Sequence, residues 1–532
     1  MWDEPPPANP DPGANPPESK VDYKDDDWQD IFLPHDALIA SAPSQKACPD
    51  GCSGKSFIPR HVLWYRKTFT IPAEWKSDTF WLDFEGSFRE TTVWIDGVLS
   101  GRHSCGYTPF RVRLDNITSV EAGKPTTIAI FVDPDNGDEG ARDHGSGWWY
   151  EGGGLHREVN LVRASKLHVA QSGLFAYSNL TWDGSKVATG VVHAKAELAN
   201  GGTTAGSACV KFTVMSSDGD VAATAMTSAP VAVAAGGTSY AEASLEVKTP
   251  LLWSSSSPNL YTINATVHDG SCSSPAIDNV QEMHGFRELR WDANDGFFLN
   301  KEHFKIRGFC DHNNFAVVGM AVPKRVNLFR AQASRAVGGN GRRTSHNPPD
   351  PAMLDIYDRI GVTVMDENRL FDNKSQYYDN MGALVKRDRN HPSVVIWSFC
   401  NEVGCEGKPH RLQPSCTAKL CCSHLGGMRR QPRGGRAALP RDRPGVRRLP
   451  RHPRQHVYAS ISGLASDSAR EELKKKNACG CSHLQRPVVQ DDRGAGLLAP
   501  EPPEGAVLPR ADADQAHLHV GVLQLQHHAR PG

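Results

Sequence analysis

Between residues 304 and 402 the chain alternates short apolar runs with amphipathic segments of helical length, and this restricts its fold more than any other feature. The runs are FKIRGFCDH (304–312), GRRTSHNPP (341–349), VTVMDENR (362–369) and SVVIWSFCNE (393–402). The intervening PKRVNLFRAQASRAVGG, DPAMLDIYDRIG and DNMGALVKRDRNHP read as helices. A strand that returns parallel to its predecessor needs such a crossover, so the pattern predicts βαβ units and a parallel sheet. The runs end in polar groups: Asp311-His312, Arg343 with His346, Asp366-Glu367, and Asn401-Glu402. In a (β/α)₈ barrel the C-terminal strand ends converge on one pocket. Taken singly, each ending has an ordinary reading: a solvated carboxylate at Glu402, a turn cap at His346, an acidic helix start at Asp366-Glu367. Their order and spacing together point to a site.

Upstream the rhythm differs. Residues 1–27, opening MWDEPPPANPDPGANPPESK, read as a disordered Pro-rich leader. From 28 to 165, short alternating segments such as WYRKTFTI, FWLDFEG, TTVWIDG and TTIAIFVD are separated by turn residues, which predicts a jelly-roll β sandwich. Within it GSGWWYEGGGLHREVNLV (145–162) joins aromatics to a glycine run. Such a loop either stacks on sugar faces or forms a Trp-filled sandwich edge. Residues 166–283 repeat the β pattern with smaller side chains and read as an immunoglobulin-like sandwich, a spacer without chemistry of its own. Residues 284–407 then form the first half of the barrel.

Bulk properties narrow the partners. With 59 Lys+Arg against 60 Asp+Glu, no overall charge draws the chain to nucleic acid or an anionic membrane. No apolar run approaches the roughly 18–20 residues of a membrane span, and no signal peptide is visible. The 13 cysteines are scattered; Cys48 and Cys52, in ACPDGCSG, are either a small disulfide or a chance pair. N-x-S/T sequons at Asn116, Asn179, Asn264 and Asn373 lean toward a secretory or lysosome-like route without fixing the compartment. Oligomeric state is not legible.

The motifs LPHD (33–36), WYEGGGLHREV, FKIRGFCDH, RRTSHNPPDPAMLDIYDRIGVTVMDENR and HPSVVIWSFCNEVG resemble those of family 2 glycoside hydrolases, nearest the β-galactosidase branch, over about residues 28–405. The resemblance implies a retaining glycoside hydrolase acting on a β-galactoside or related oligosaccharide in carbohydrate metabolism. It assigns Glu402 as general acid/base and Asn401 as holder of the sugar 2-hydroxyl. Arg343, His346 and His312 become substrate contacts, and Asp366 and Glu367 an acidic pair supporting the site. Some family members bind Mg²⁺ through a Glu and a His shortly after that pair. Here those places read Leu370-Phe371-Asp372-Asn373, so no metal and no other cofactor is expected.

The pattern breaks after Gly407. The family's nucleophile is a Glu ending the seventh barrel strand, which the retaining mechanism places roughly 5–5.5 Å from the acid/base. Tyr458 is the only aromatic after Phe399, where the chain-wide 8% would give about ten. The later glutamates, Glu471, Glu472, Glu501 and Glu504, lie in AREELKKK and PEPPEG, and none ends a strand. Residues 408–532 therefore read as a disordered Arg/Pro/His-rich tail, either a basic arm or an out-of-frame translation, with composition favouring the latter. The chain as written is expected to lack the nucleophile and to be inactive. The rival reading is a non-catalytic carbohydrate-binding protein using the sandwich alone.

Overall fold

The computed structural model describes residues 12–44, 57–134, 149–369 and 375–401, together with the backbone of two strands at 517–519 and 522–528. Cys48, Cys52, the 370–373 stretch and Glu402 lie outside the described residues.

The first sandwich contains β1 (Gln29–Phe32), β2 (Val62–Thr70), β3 (Thr79–Phe84), β4 (Glu90–Ile95), β5 (Val98–His103), β6 (Phe110–Arg113), β7 (Pro125–Asp133) and β8 (Val159–Ala164). Alternate residues of these strands meet between the sheets: Leu63 and Tyr65, Leu82 and Phe84, Val93 and Ile95, Ile128 and Ile130. That is the period of two expected of packed antiparallel strands. Several strands are apolar on both faces, however. Trp64, Trp94, Ala129 and Phe131 form a second cluster on the outer side, with Trp28.

Residues 12–27 share in covering that outer face, which corrects the expectation of a disordered leader for this stretch. Trp94 donates its indole N–H to Ala14 O at 2.9 Å, and Arg66 pairs with Asp25 at 2.9 Å while lying over the Tyr23 ring. An apolar outer face left in water would be costly, and this segment is what the chain supplies there.

The tail expectation also needs correcting at two places. β24 (His517–His519) pairs with β8, and β25 (Val522–His528) lies between β1 and β2, giving sheets ordered β1-β25-β2-β7-β4-β5 and β24-β8-β3-β6. The VLQLQ alternation within the second of these strands is a strand signal that the scarcity of aromatics obscured.

The second sandwich packs β9 (Leu167–Asp183), β10 (Lys186–Asn200) and β14 (Thr238–Lys248) against β11 (Gly206–Met215), β12 (Val221–Met226), β13 (Val231–Val233), β15 (Tyr261–Asp269) and β16 (Ala276–His284). Its core uses small residues, Ala194, Ala196, Val210 and Ala265, around Phe212 and Phe286. A disulfide joins Cys209 to Cys272, 63 positions apart; nothing in their spacing singled out this pair. A three-stranded meander, β17 (Leu289–Asp292), β18 (Gly296–Leu299) and β19 (Glu302–His303), leads into the last region.

There β20 (Gly308–Asp311), α1 (Lys324–Ala336), β21 (Gly341–Thr344), α2 (Pro351–Ile360), β22 (Thr363–Glu367), α3 (Ser375–Asp388) and β23 (Val394–Ser398) alternate as the spacing predicts. The strands pair in parallel in chain order, Gly308 beside Gly341, Gly341 beside Thr363, Val364 beside Val394. The chain is thus a β-rich multidomain protein with part of a TIM barrel. Asp350 caps α2 by accepting the Ala352 N–H at 2.9 Å, and Gly361 ends it in the left-handed conformation at φ 71°. Four residues of β22 are buried, whereas three of β20 are exposed, because β22 has neighbours on both sides and β20 ends the described sheet.

Candidate active site

At the C-terminal ends of β21, β22 and β23 the side chains meet around one carboxylate. Glu367 is fully buried. Arg343 donates from Nε and Nη2 to its two oxygens, each at 2.9 Å. His346 Nδ1 lies 2.7 Å from Oε1, and Ser398 Oγ donates to Oε2 at 2.8 Å. Burial alone would push the Glu367 carboxyl up, but the His346, Arg343 and Ser398 hydrogen bonds outweigh it and hold the group below the ordinary range. It is a fixed anion rather than a proton carrier.

Arg343 extends the cluster toward β23. Its Nη2 also donates to Asn401 Oδ1 at 2.6 Å, which brings the strand-end amide to the same guanidinium. The sequence places Glu402 immediately after this anchored residue. Behind it, Trp397 packs against the α2 and α3 layers, while Phe399 is half exposed.

His312 follows β20 and faces His346, their rings 5.4 Å apart. Its Nδ1 contacts Ser345 O at 2.8 Å. Burial, then the neighbouring His346, lowers its pKa, so the neutral ring with Nδ1–H is the form that fits. Asp366 points the other way, as strand alternation requires. It is buried toward Asp388 and Arg387 at the end of α3, and burial together with the Asp388 charge pushes its carboxyl well above the ordinary range. Of the residues singled out from sequence, Arg343, His346, Glu367, Asn401 and His312 therefore come together, while Asp366 supports the outside of the sheet.

Three contributors were not among the residues assigned to the pocket from sequence. Ser398 is found only through the β22–β23 register, which sets it beside Glu367. Trp149 and Glu151 come from the first sandwich. Trp149 stacks on His312 at 4.4 Å with planes 10° apart, and the Arg369 guanidinium lies 4.9 Å from its ring centre. Only 9% exposed, it offers no face to a sugar, which removes the stacking role its aromatic-glycine motif suggested. Glu151, buried, pairs with Arg369 at 3.4 Å and accepts the Tyr107 hydroxyl at 3.2 Å.

Another grouping, Asp355, Asp358 and His391, has ligand-type atoms within 4.8 Å of one another. Burial disfavours the imidazolium there, but Asp358, then Asp388 and Asp355, hold it protonated with a pKa of about 10. His391 Nδ1 pairs with Asp358 at 2.6 Å.

Comparison with known proteins agrees with this architecture. Residues 175–287 match the model described as glycosyl hydrolases family 2, and 293–376 and 371–420 match its TIM barrel domain. A putative beta-glucuronidase of Formosa agariphila is 31% identical over 408 residues, covering 74% of this chain and 36% of that protein. A beta-galactosidase of Bacteroides ovatus is 31% identical over 394 residues, covering 72% and 44%. The crystal structure of a beta-glycosidase from Bacteroides vulgatus superposes with a TM-score of 0.65 at 29% identity, covering 75% of this chain and 50% of that one. The chain thus spans half or less of the length of these relatives.

Proposed function

The chain belongs to glycosyl hydrolase family 2, and we propose that its described barrel strands build the acid/base side of a retaining β-glycosidase pocket, with galactosides as the substrate class. Glu402 holds the general acid/base position, the group that in the retaining scheme protonates the departing oxygen as a nucleophile attacks the anomeric carbon and later takes a proton from water. Asn401 donates its amide to the sugar 2-hydroxyl, an orientation supported by Arg343, which engages the amide oxygen at 2.6 Å and leaves the N–H₂ outward. Glu367 has no proton to give. It holds Arg343 and His346 in place, and the imidazoles of His346 and His312 present Nε2 lone pairs to sugar hydroxyls.

The observation that carries this reading is the convergence of Arg343, His346, Glu367 and Asn401 from three separate strand ends on one point. A sandwich acting alone as a sugar-binding module has less support, since Trp149 of its aromatic-glycine loop is buried. The retaining mechanism needs a second carboxylate as nucleophile, and in the sequence after 407 no Glu closes an apolar run, so we further propose that this chain binds sugar without turning it over.

Calorimetric titration of the full-length chain with a galactose-configured iminosugar tests the pocket. Binding is expected, weakened about ten-fold or more in Arg343→Ala; absence of binding in the parent chain rejects the site. Incubation with a nitrophenyl β-galactoside tests the second point. No release is expected, and measurable turnover overturns the missing-nucleophile reading.

A further inference from the structure

We infer that Trp149, a residue of the first sandwich, is a positioning residue of the barrel pocket, setting the ring planes of His312 and His346. The inference rests on the sugar-site reading above, but its geometry is independent of it. Both imidazoles sit on loops that follow strands, where the backbone does not by itself orient a ring. Each is tied at one atom: His312 Nδ1 to Ser345 O at 2.8 Å, His346 Nδ1 to Glu367 Oε1 at 2.7 Å with Arg343 Nη2 3.0 Å from the same nitrogen. An anchor at one nitrogen leaves the ring free to tilt about it.

The indole removes that freedom. It lies flat against His312 at 4.4 Å with planes 10° apart, and meets His346 at a tilt, 5.5 Å away with planes inclined by 59°. One anchored nitrogen and one indole contact together limit the tilt of each ring, and hence the direction of each Nε2. The indole is itself held. Arg369, which follows β22, lies over it at 4.9 Å, and Arg369 is fastened to Glu151 of the same sandwich loop at 3.4 Å. Trp149 is too buried to touch substrate, so its action is through the two histidines. The sandwich is accordingly a working wall of the pocket, and a barrel separated from it would present misaligned imidazoles.

The test uses the full-length chain labelled with ¹³C at histidine Cε1, with His312→Gln and His346→Gln identifying the two resonances. In the parent chain the stacked indole is expected to shift the His312 Hε1 signal upfield. Trp149→Leu should return both signals toward exposed-histidine positions and weaken iminosugar binding about 10- to 100-fold. Trp149→Phe, which keeps a flat ring, should recover most of both effects. Unchanged histidine signals in a Trp149→Leu protein with native circular dichroism overturn the inference, and so do moved signals with unchanged sugar affinity. If that variant does not fold, Glu151→Gln, which loosens Arg369 from the indole, is expected to move the same two signals to a smaller extent; no movement there counts against it. A parent chain that binds no iminosugar refutes the sugar site alone, and the histidine signals still decide the positioning role.

Discussion

The two sandwiches hold the same barrel strands from opposite ends. The first reaches the C-terminal ends: Trp149 meets His312 and His346, Arg157 donates to Pro348 O at 2.8 Å, Glu151 pairs with Arg369, and Asp36 accepts the Met320 N–H at 2.8 Å. The second meets the other end: Trp253 donates to Asp358 O at 2.8 Å, Ser255 to Gly361 O at 2.6 Å, and Asn390 exchanges hydrogen bonds with Leu174 and Ala176. In barrels the C-terminal end carries chemistry and the N-terminal end carries stability. A sandwich that looks like an appended module is therefore part of the site, while its neighbour is a foundation.

Substitutions at the two junctions should separate the roles. The largest effect is expected at the foundation. Trp253→Ala empties a fully buried site and should cost about 3–5 kcal/mol in denaturant unfolding, yet leave the iminosugar affinity of the folded protein unchanged. Lost affinity in that variant would break the division between the two ends.

His391→Gln comes next, at about 3 kcal/mol, because it strands the buried Asp358 carboxylate. The raised folded pKa of His391 sets the sign. Its stabilisation is complete below the unfolded value near 6.5 and disappears as pH rises toward about 10. The parent chain should lose stability across that window more steeply than the variant, as followed by thermal melts at stepped pH.

At the site end, Glu85 lies at the sandwich–barrel junction, where burial, then the Glu158 and Asp350 charges, push its carboxyl up to about 7. An acid raised on folding is most favourable below its unfolded pKa, so stability should decline as pH climbs from about 4.5 to about 7. Glu85→Gln should flatten that decline and gain on the order of 1–3 kcal/mol at pH 8. The smallest effect belongs to Lys386→Ala, which breaks a half-exposed pair with Glu197 and should change unfolding by about 1 kcal/mol or less.

Much of the barrel region was open to reading because its signals are local. PKRVNLF, DPAMLDIYDRIG and VTVMDE announce helix, capped helix and strand within a few residues, and the polar strand ends follow from the same text. The sandwich contacts were not, because they join residues 164 positions apart, as Asn314 to Tyr150, or 284 apart, as Met320 to Asp36. The run Tyr150-Glu151-Gly152-Gly153-Gly154 illustrates the limit. Its glycines looked suited to a sugar loop, yet a Cβ on Gly154 would sit 2.2 Å from the Tyr65 hydroxyl and one on Gly152 2.6 Å from Asp36 Oδ2. They are small so that the loop can lie against Tyr65 and Asp36 of its own sandwich.

Periodicity and strand-end chemistry, both short-range properties, were enough to determine a part-barrel behind two sandwiches and to nominate Arg343, His346 and Asn401. Which carboxylate is held below its ordinary range, which is pushed above it, and which aromatic packs on the two histidines were decided only by folding. Burial and the approach of partners from other domains set those properties, and neither is written in the neighbouring residues.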